Sequence, residues 1–169
     1  MTTPLTPETL SQAVHDLGTQ WVAEGQAPSL ADINRGLCIA FAKAVAQHLE
    51  DQGWDTSQLF DVELANFLAL DQDSDGGMLD QALLAKHWPA VQPTQGLTWE
   101  HLEQLAFDAN WSVGTHIWLL LDGKHYDAQC PEGVSNFLEL PFFAEGIREW
   151  SIEKGLTPAA PRAKRGPRP

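Results

Sequence analysis

The chain has 169 residues, 43% hydrophobic and 20% charged, the proportions of a globular chain long enough to bury a core without disulfide or metal staples. Acidic residues outnumber basic ones 23 to 10, giving a formal net charge of −13, and four of the ten basic residues (Arg162, Lys164, Arg165, Arg168) crowd the C-terminal end. A body this acidic repels nucleic acid and anionic membrane surfaces, so both are excluded as partners, whereas solubility or a basic partner is favoured.

No apolar run approaches the ~18 residues that a membrane span requires. The start, MTTPLTPETL, has neither the basic nor the apolar region of a signal peptide, and a cytoplasmic protein is expected. Two cysteines, Cys38 and Cys130, are too few for a disulfide scaffold; they can pair only once, and a reducing compartment would keep them free.

In chain order, "TPETLSQAVHDLGTQWVAEG" opens with a threonine cap at Thr6, a proline at the first helical position and Glu8 in the first turn, and stops at Gly25. A helix is predicted there. After a loop with Pro28, Leu37, Ala40, Phe41, Ala44, Val45 and Leu49 recur at spacings of three and four, which predicts a core helix from about Gly36 to Gln52, ended by Gly53. Residues 57–70 and 78–87 read as shorter helical pieces around "DQDSDGG", and another helix is predicted from a cap at Thr98 through about Ala109.

The pattern then changes. "SVGTHIWLLLDGKHYDAQ" is rich in β-branched, aromatic and aliphatic residues and is broken by Asp122-Gly123, the pair that a two-residue hairpin prefers. Pro141 to Lys154 reads as a closing helix. From Gly155 the tail is Pro-rich and basic and reads as disordered. The expected architecture is α+β, with residues 1–154 as one domain in which N-terminal helices pack on a small antiparallel sheet.

The hairpin carries more chemistry than a hairpin needs. A thiolate attacks carbonyls well, but a free cysteine with pKa near about 8.5 is mostly protonated at neutral pH; a helix start and a neighbouring imidazolium both lower that value. Cys38 follows Gly36-Leu37 at the start of the strongly amphipathic helix, where the glycine leaves room for a carbonyl to approach, and its own N–H is a candidate oxyanion donor. With Asp122-Gly123 as the turn, Leu121 faces Lys124, Trp118 faces Asp127, and His116 stands one diagonal step from Asp127 on the same face, about 7–8 Å away between backbones. The carboxylate can then fix the ring's tautomer and leave its other nitrogen for a thiol. A slip of one residue would put the two side chains on opposite faces.

"GLCIAFAKAV" followed by "HIWLLLDGKHYDA" resembles the papain-like superfamily in its transglutaminase-like form, in which a cysteine opens a helix, a histidine begins one strand as H-x-W, and an aspartate follows on the next strand after a short turn. The resemblance covers the Cys38 helix and residues 113–130, about a third of the chain. It implies a papain-like fold and a thiol hydrolase or acyltransferase acting on a protein or peptide, with Cys38 as nucleophile, His116 as base and Asp127 as orienting acid. No cofactor or resident metal is implied. Ile39 stands where an aromatic residue often follows the cysteine. Gln20, Gln26 and Asn34, all upstream of Cys38, are candidates for the side chain completing an oxyanion hole, Asn34 ahead of the others because it lies four residues before the cysteine, and Trp118 is a candidate substrate contact.

Other signals are weaker. "DQDSDGGMLDQA" places Asp71, Asp73, Asp75 and Gly76 as a calcium loop would, but its twelfth position is Ala82 instead of a bidentate glutamate, and the segment reads as a solvated turn. His125 with Cys130 is a metal pair lacking a second pair. The competing class is a non-enzymatic acidic binding protein on the same scaffold, of the inhibitor or immunity type.

Overall fold

The computed structural model describes residues 3–64, 68–70, 77–109, 111 and 116–156, with the backbone alone for 68–70 and 77–78. Helix α1 (Pro7–Ala23) is capped by Thr6, whose hydroxyl accepts from the Thr9 N–H at 3.2 Å, and Gly25 beyond its end takes φ +74°. Its buried positions Leu10, Ala13, Val14 and Gly18 lie at spacings of three, one and four. That stripe packs on Phe41, Ala42, Val45 and Leu49 of α3 (Cys38–Asp51). Gly53, at φ +84°, follows its end.

The run into α3 is longer than the apolar stripe indicated. Ser29 caps a single turn, α2 (Leu30–Asp32), and a π-helical turn (Ile33–Leu37) links it to α3. Cys38 therefore begins regular α-helix without being the first helical residue. Leu37, at φ −117° and ψ 8°, is the irregular joint. Isolated π turns of this kind concentrate at functional sites because they re-aim the side chains that follow.

Thr3–Pro4 (β1) and Trp54–Asp55 (β2) form a short parallel pair. The main sheet is antiparallel with strand order β3 (Phe60–Glu63), β6 (Ile117–Leu121), β7 (Lys124–Asp127), β8 (Cys130–Val134). Between β3 and β6 in sequence, β4 (Leu68–Leu70) pairs with β5 (Gly77–Leu79), followed by α4 (Gln81–His87) and α5 (Trp99–Asp108). The last helix among the described residues is α6 (Pro141–Glu153).

The sequence-predicted helix over 57–70 is overturned, because its described residues hold two strands and no α-helix. "FDVEL" alternates apolar and polar residues, and β3 pairs along β6 with Val62 and Leu64 facing the core while Phe60 is half exposed. This is strand periodicity, and a sheet edge stabilises so short a piece as no isolated helix could. The piece over 78–87 is half corrected, since it starts as β5 and becomes helix only after Asp80, whose carboxylate caps Leu83 N–H at 2.8 Å. The calcium-like loop at 71–76 and the basic tail from 157 lie outside the described residues.

The hairpin follows its predicted register: Leu121 pairs Lys124, Leu120 pairs His125, and Leu119 pairs Tyr126. Asp122 and Gly123 both take positive φ, 50° and 74°, as a type I′ turn requires. Period-two alternation then divides β6. Leu119 and Leu121 join the α1/α3 core, whereas Trp118 and Leu120 face α5, α6 and the 3₁₀ turn Phe137–Glu139. Gly133, at φ +69°, lies where an added Cβ would overlap the Tyr126 ring.

His125 is a core residue of the second face. It is fully buried, its Nδ1 accepts from the Trp118 indole N–H at 2.8 Å, and its Nε2 has no partner. Burial alone pushes its pKa down to about 4. It packs edge-on against Trp88 at 5.0 Å between ring centres, as a neutral ring among aromatics.

The unfolded ring titrates near about 6.5, above the folded value, so between about 4 and 6.5 the unfolded chain binds the extra proton. Stability falls as pH drops through that window. Denaturant titrations from pH 7 to pH 4 should show His125→Gln losing about 3 kcal/mol less than the parent protein over this range; equal losses would place the acid sensitivity elsewhere.

Candidate functional site

Cys38 and His116 come from elements far apart in sequence. α3 packs on the sheet through Phe41, Ala42, Val45 and Leu49, and this packing sets its first residue against the entry to β6. His116 immediately precedes that strand and is only 1% exposed. Asp127, at the end of β7, is 3% exposed.

His116 Nε2 and Asp127 Oδ2 are 2.9 Å apart in a fully buried pair. The other carboxylate oxygen, Oδ1, accepts from the Gln129 backbone N–H, also at 2.9 Å. Both oxygens are thus held, and the bond at Nε2 leaves Nδ1 as the ring nitrogen available to the thiol. Phe142, on α6, stacks on the imidazole at 4.6 Å between ring centres with 29° between planes, and Trp118 lies against it at 6.1 Å. These ring contacts restrain the plane of the imidazole, and the burial of both partners keeps water from the pair.

The Cys38 sulfur is half-buried and free. Its burial opposes ionisation and is the largest single influence, but the His116 ring, the Ile117 N–H and the Ile39 N–H together outweigh it, so the thiol titrates below its ordinary value. The reciprocal shift appears on the ring. Burial would lower the His116 pKa, yet the hydrogen bond to Asp127, the contact with Cys38 and the negative charge of both raise it above its ordinary value. The two shifts are opposite in direction, as expected where a thiol and an imidazole each favour the other's charged form. Within that contact Nδ1 has no partner meeting ordinary hydrogen-bond geometry, so the sulfur and ring adjoin without a closed bond.

Cys130 is the built-in contrast. It is 3% exposed, packed in the aromatic core, and pushed up to about 12 by burial and then by the charges of Glu132 and Asp127. Cys38 and Cys130 are both free thiols.

The remaining sequence candidates sit apart from this cluster or beside it. Gln20 and Gln26 are exposed, and both donate their side-chain amides to Glu24 at 2.8 Å. Trp118 is 1% exposed with its indole N–H committed to His125, so it supports the ring from inside the core and offers no surface to a substrate. Asn34 lies in the π turn, buried, with its amide nitrogen bonded to Gln129 Oε1 at 3.1 Å and its own Oδ1 unpartnered. It is not a helix cap, a role filled by Ser29. Through Gln129, Asn34 ties the segment before Cys38 to the turn that holds Asp127.

Gln129 and Phe142 were not singled out from sequence. Gln129 has one available signal, its position two residues after Asp127 in a turn, where an aspartate commonly accepts a backbone N–H. Phe142 has none, because its approach to His116 depends on how α6 docks.

Compared with known proteins, the chain matches no protein-family model, no curated protein and no solved structure. Among the described residues no helix is long and apolar enough to cross a membrane.

Alkylation by iodoacetamide across pH should show Cys38 reacting with a midpoint below that of an ordinary thiol, with Cys130 silent until unfolding. His116→Ala should move the midpoint up and slow the reaction at neutral pH by about tenfold or more; an unchanged profile would mean that the ring does not act on the sulfur.

Proposed function

We propose that this protein is a cysteine-dependent amide or acyl hydrolase with a Cys38-His116-Asp127 triad on a papain-like α+β scaffold. One observation carries the reading: the buried 2.9 Å bond between His116 and Asp127, made on the nitrogen that leaves Nδ1 for the half-exposed Cys38. A histidine needed only for packing would not have to sit between a carboxylate and a thiol of lowered pKa, and perturbed groups in this arrangement concentrate at reactive sites.

The chemistry follows from the geometry. His116 Nδ1 takes the Cys38 proton, and the sulfur attacks the carbonyl carbon of an amide or related acyl group, pushing its electron pair onto oxygen. Collapse of the tetrahedral species breaks the bond to the leaving amine, which takes the proton from His116. The thioester is then resolved by water, whose proton goes to the same ring nitrogen while the sulfur leaves. Asp127 keeps Nε2–H bonded throughout and stabilises the ring when it is positive. The loose sulfur–imidazole contact is of the kind that tightens when substrate displaces water.

The net charge of −13 favours a second reading, an acidic binding protein in which the same three residues are inert. The two readings part on covalent chemistry. A peptidyl vinyl sulfone should label the native protein once, on Cys38, and His116→Ala should reduce the labelling rate by about 100-fold or more, in the range of a lost general base. Absence of labelling in the native protein, or equal labelling of the variant, would favour the binding protein.

A further inference from the structure

A cleft of about 610 Å³ opens between α5, α6 and the β7–β8 turn, within the size range of sites that hold a small ligand or a few residues of a peptide. It abuts the Cys38 cluster through residues already placed: Phe142 stacks on His116, Gln129 holds Asp127, and Arg35 lies three residues before Cys38 in the π turn. Its inner wall is aromatic, formed by Trp111 and Trp150, each 8% exposed, and by the half-buried Phe142.

The rim has a different chemistry. Asp108, Glu145, Glu149 and Glu153 line it together with only two cations, Arg35 and Lys154. Both cations are engaged: Arg35 pairs with Glu145 at 3.0 Å, and Lys154 with Asp108 at 2.9 Å. Asp108 also accepts the Trp150 indole N–H at 2.8 Å, which fixes that wall. Glu149 and Glu153 stand one helical turn apart on α6, exposed, and have no ion-pair partner among the described residues. Four carboxylates against two cations leave the cleft with a net negative charge beside an aromatic wall.

We infer that this cleft recognises a cationic peptide segment, with the stem of a lysine or arginine along the aromatic wall and its charged head at Glu149 and Glu153, and with its backbone led toward Cys38. This substrate class rests on the thiol-hydrolase reading. The chemistry fits because a lysine or arginine stem is apolar enough to lie on indole and phenyl faces while its head requires carboxylates. An anionic segment would meet the rim with like charge, and a purely apolar one would leave the two glutamates unanswered. The low-dielectric wall beside the rim also focuses the field of the acidic body on the same opening.

The test uses the full chain carrying Cys38→Ala, so that binding is read without turnover. Two peptide amides, Ac-Lys-Phe-Lys-Phe-NH2 and Ac-Glu-Phe-Glu-Phe-NH2, are titrated while tryptophan fluorescence is followed at low and at high salt. The cationic peptide should bind at least tenfold more tightly, and its affinity should fall several-fold with salt. Glu149→Gln with Glu153→Gln should weaken it by roughly fivefold, as expected for two exposed charge pairs. Glu149→Lys with Glu153→Lys should move the preference toward the anionic peptide.

Equal affinity for the two peptides, or indifference to both double variants, would overturn the assignment. So would self-association of the chain that the same variants abolish, because a second copy would then be the occupant. Failure of the hydrolase reading is distinguishable: Cys38 would alkylate as an ordinary thiol while the cationic preference persisted. If Cys38 is activated and the preference is missing, the cleft assignment alone fails.

Discussion

The site depends on the register of one hairpin. His116, at the entry to β6, and Asp127, at the end of β7, stand on the two arms of a hairpin joined by a two-residue turn, and their meeting requires that the turn centre on Asp122 and Gly123 and nowhere else. Both residues occupy left-handed backbone, at φ 50° and 74°, where most side chains are strained. A slip of one position would turn Asp127 away from His116 and, in the same motion, turn Trp118 and Leu120 from one core to the other. The burial of the two faces therefore enforces the same register that the polar pair needs. Stability and site geometry are specified by one alternation.

The environment of the pair then decides what it can do. A histidine–carboxylate bond at a surface would be weak and screened. Here both partners are almost fully buried, the carboxylate's second oxygen is satisfied by the Gln129 N–H, and Phe142 and Trp118 pack against the imidazole. Burial penalises charge on the ring, yet the carboxylate and the thiol overcome that penalty. The two remaining chemical curiosities of the hairpin separate cleanly from it. His125 is kept neutral with its Nδ1 on the Trp118 indole N–H, and Cys130 is a core thiol held protonated. The hairpin thus carries two buried histidines with opposite shifts, and the difference is that only His116 has a carboxylate and a thiol within reach.

What was legible in the sequence was whatever local chemistry dictates. Thr6 and Thr98 cap their helices, Gly25 and Gly53 follow helix ends, and Asp122-Gly123 makes the turn. From the turn, counting by two was enough to bring His116 toward Asp127. The stretch 57–70 was misread because its alternation is only five residues long and its partner strand lies far along the chain; the edge of β6 stabilises it, and no local propensity announces that. The helical turns before Cys38 were missed for a related reason. Ser29 begins them without an apolar stripe to extend, and the π turn that re-aims Cys38 has no simple sequence pattern. Gln129, Phe142 and the cleft between α5 and α6 are products of docking, and side chains that meet only through tertiary packing leave no spacing to read.

The central claim is that the His116 imidazole, held at Nε2 by Asp127, offers Nδ1 to the Cys38 sulfur. Long-range proton–nitrogen NMR of the labelled protein across pH tests it most directly, because the two ring nitrogens report separately which one carries hydrogen and when the ring becomes charged. The account predicts that the neutral ring is protonated at Nε2, that it titrates above an ordinary histidine, and that Cys38→Ala and Asp127→Ala each lower that value. A neutral ring protonated at Nδ1, or a titration at or below the ordinary value that ignores both substitutions, would contradict it.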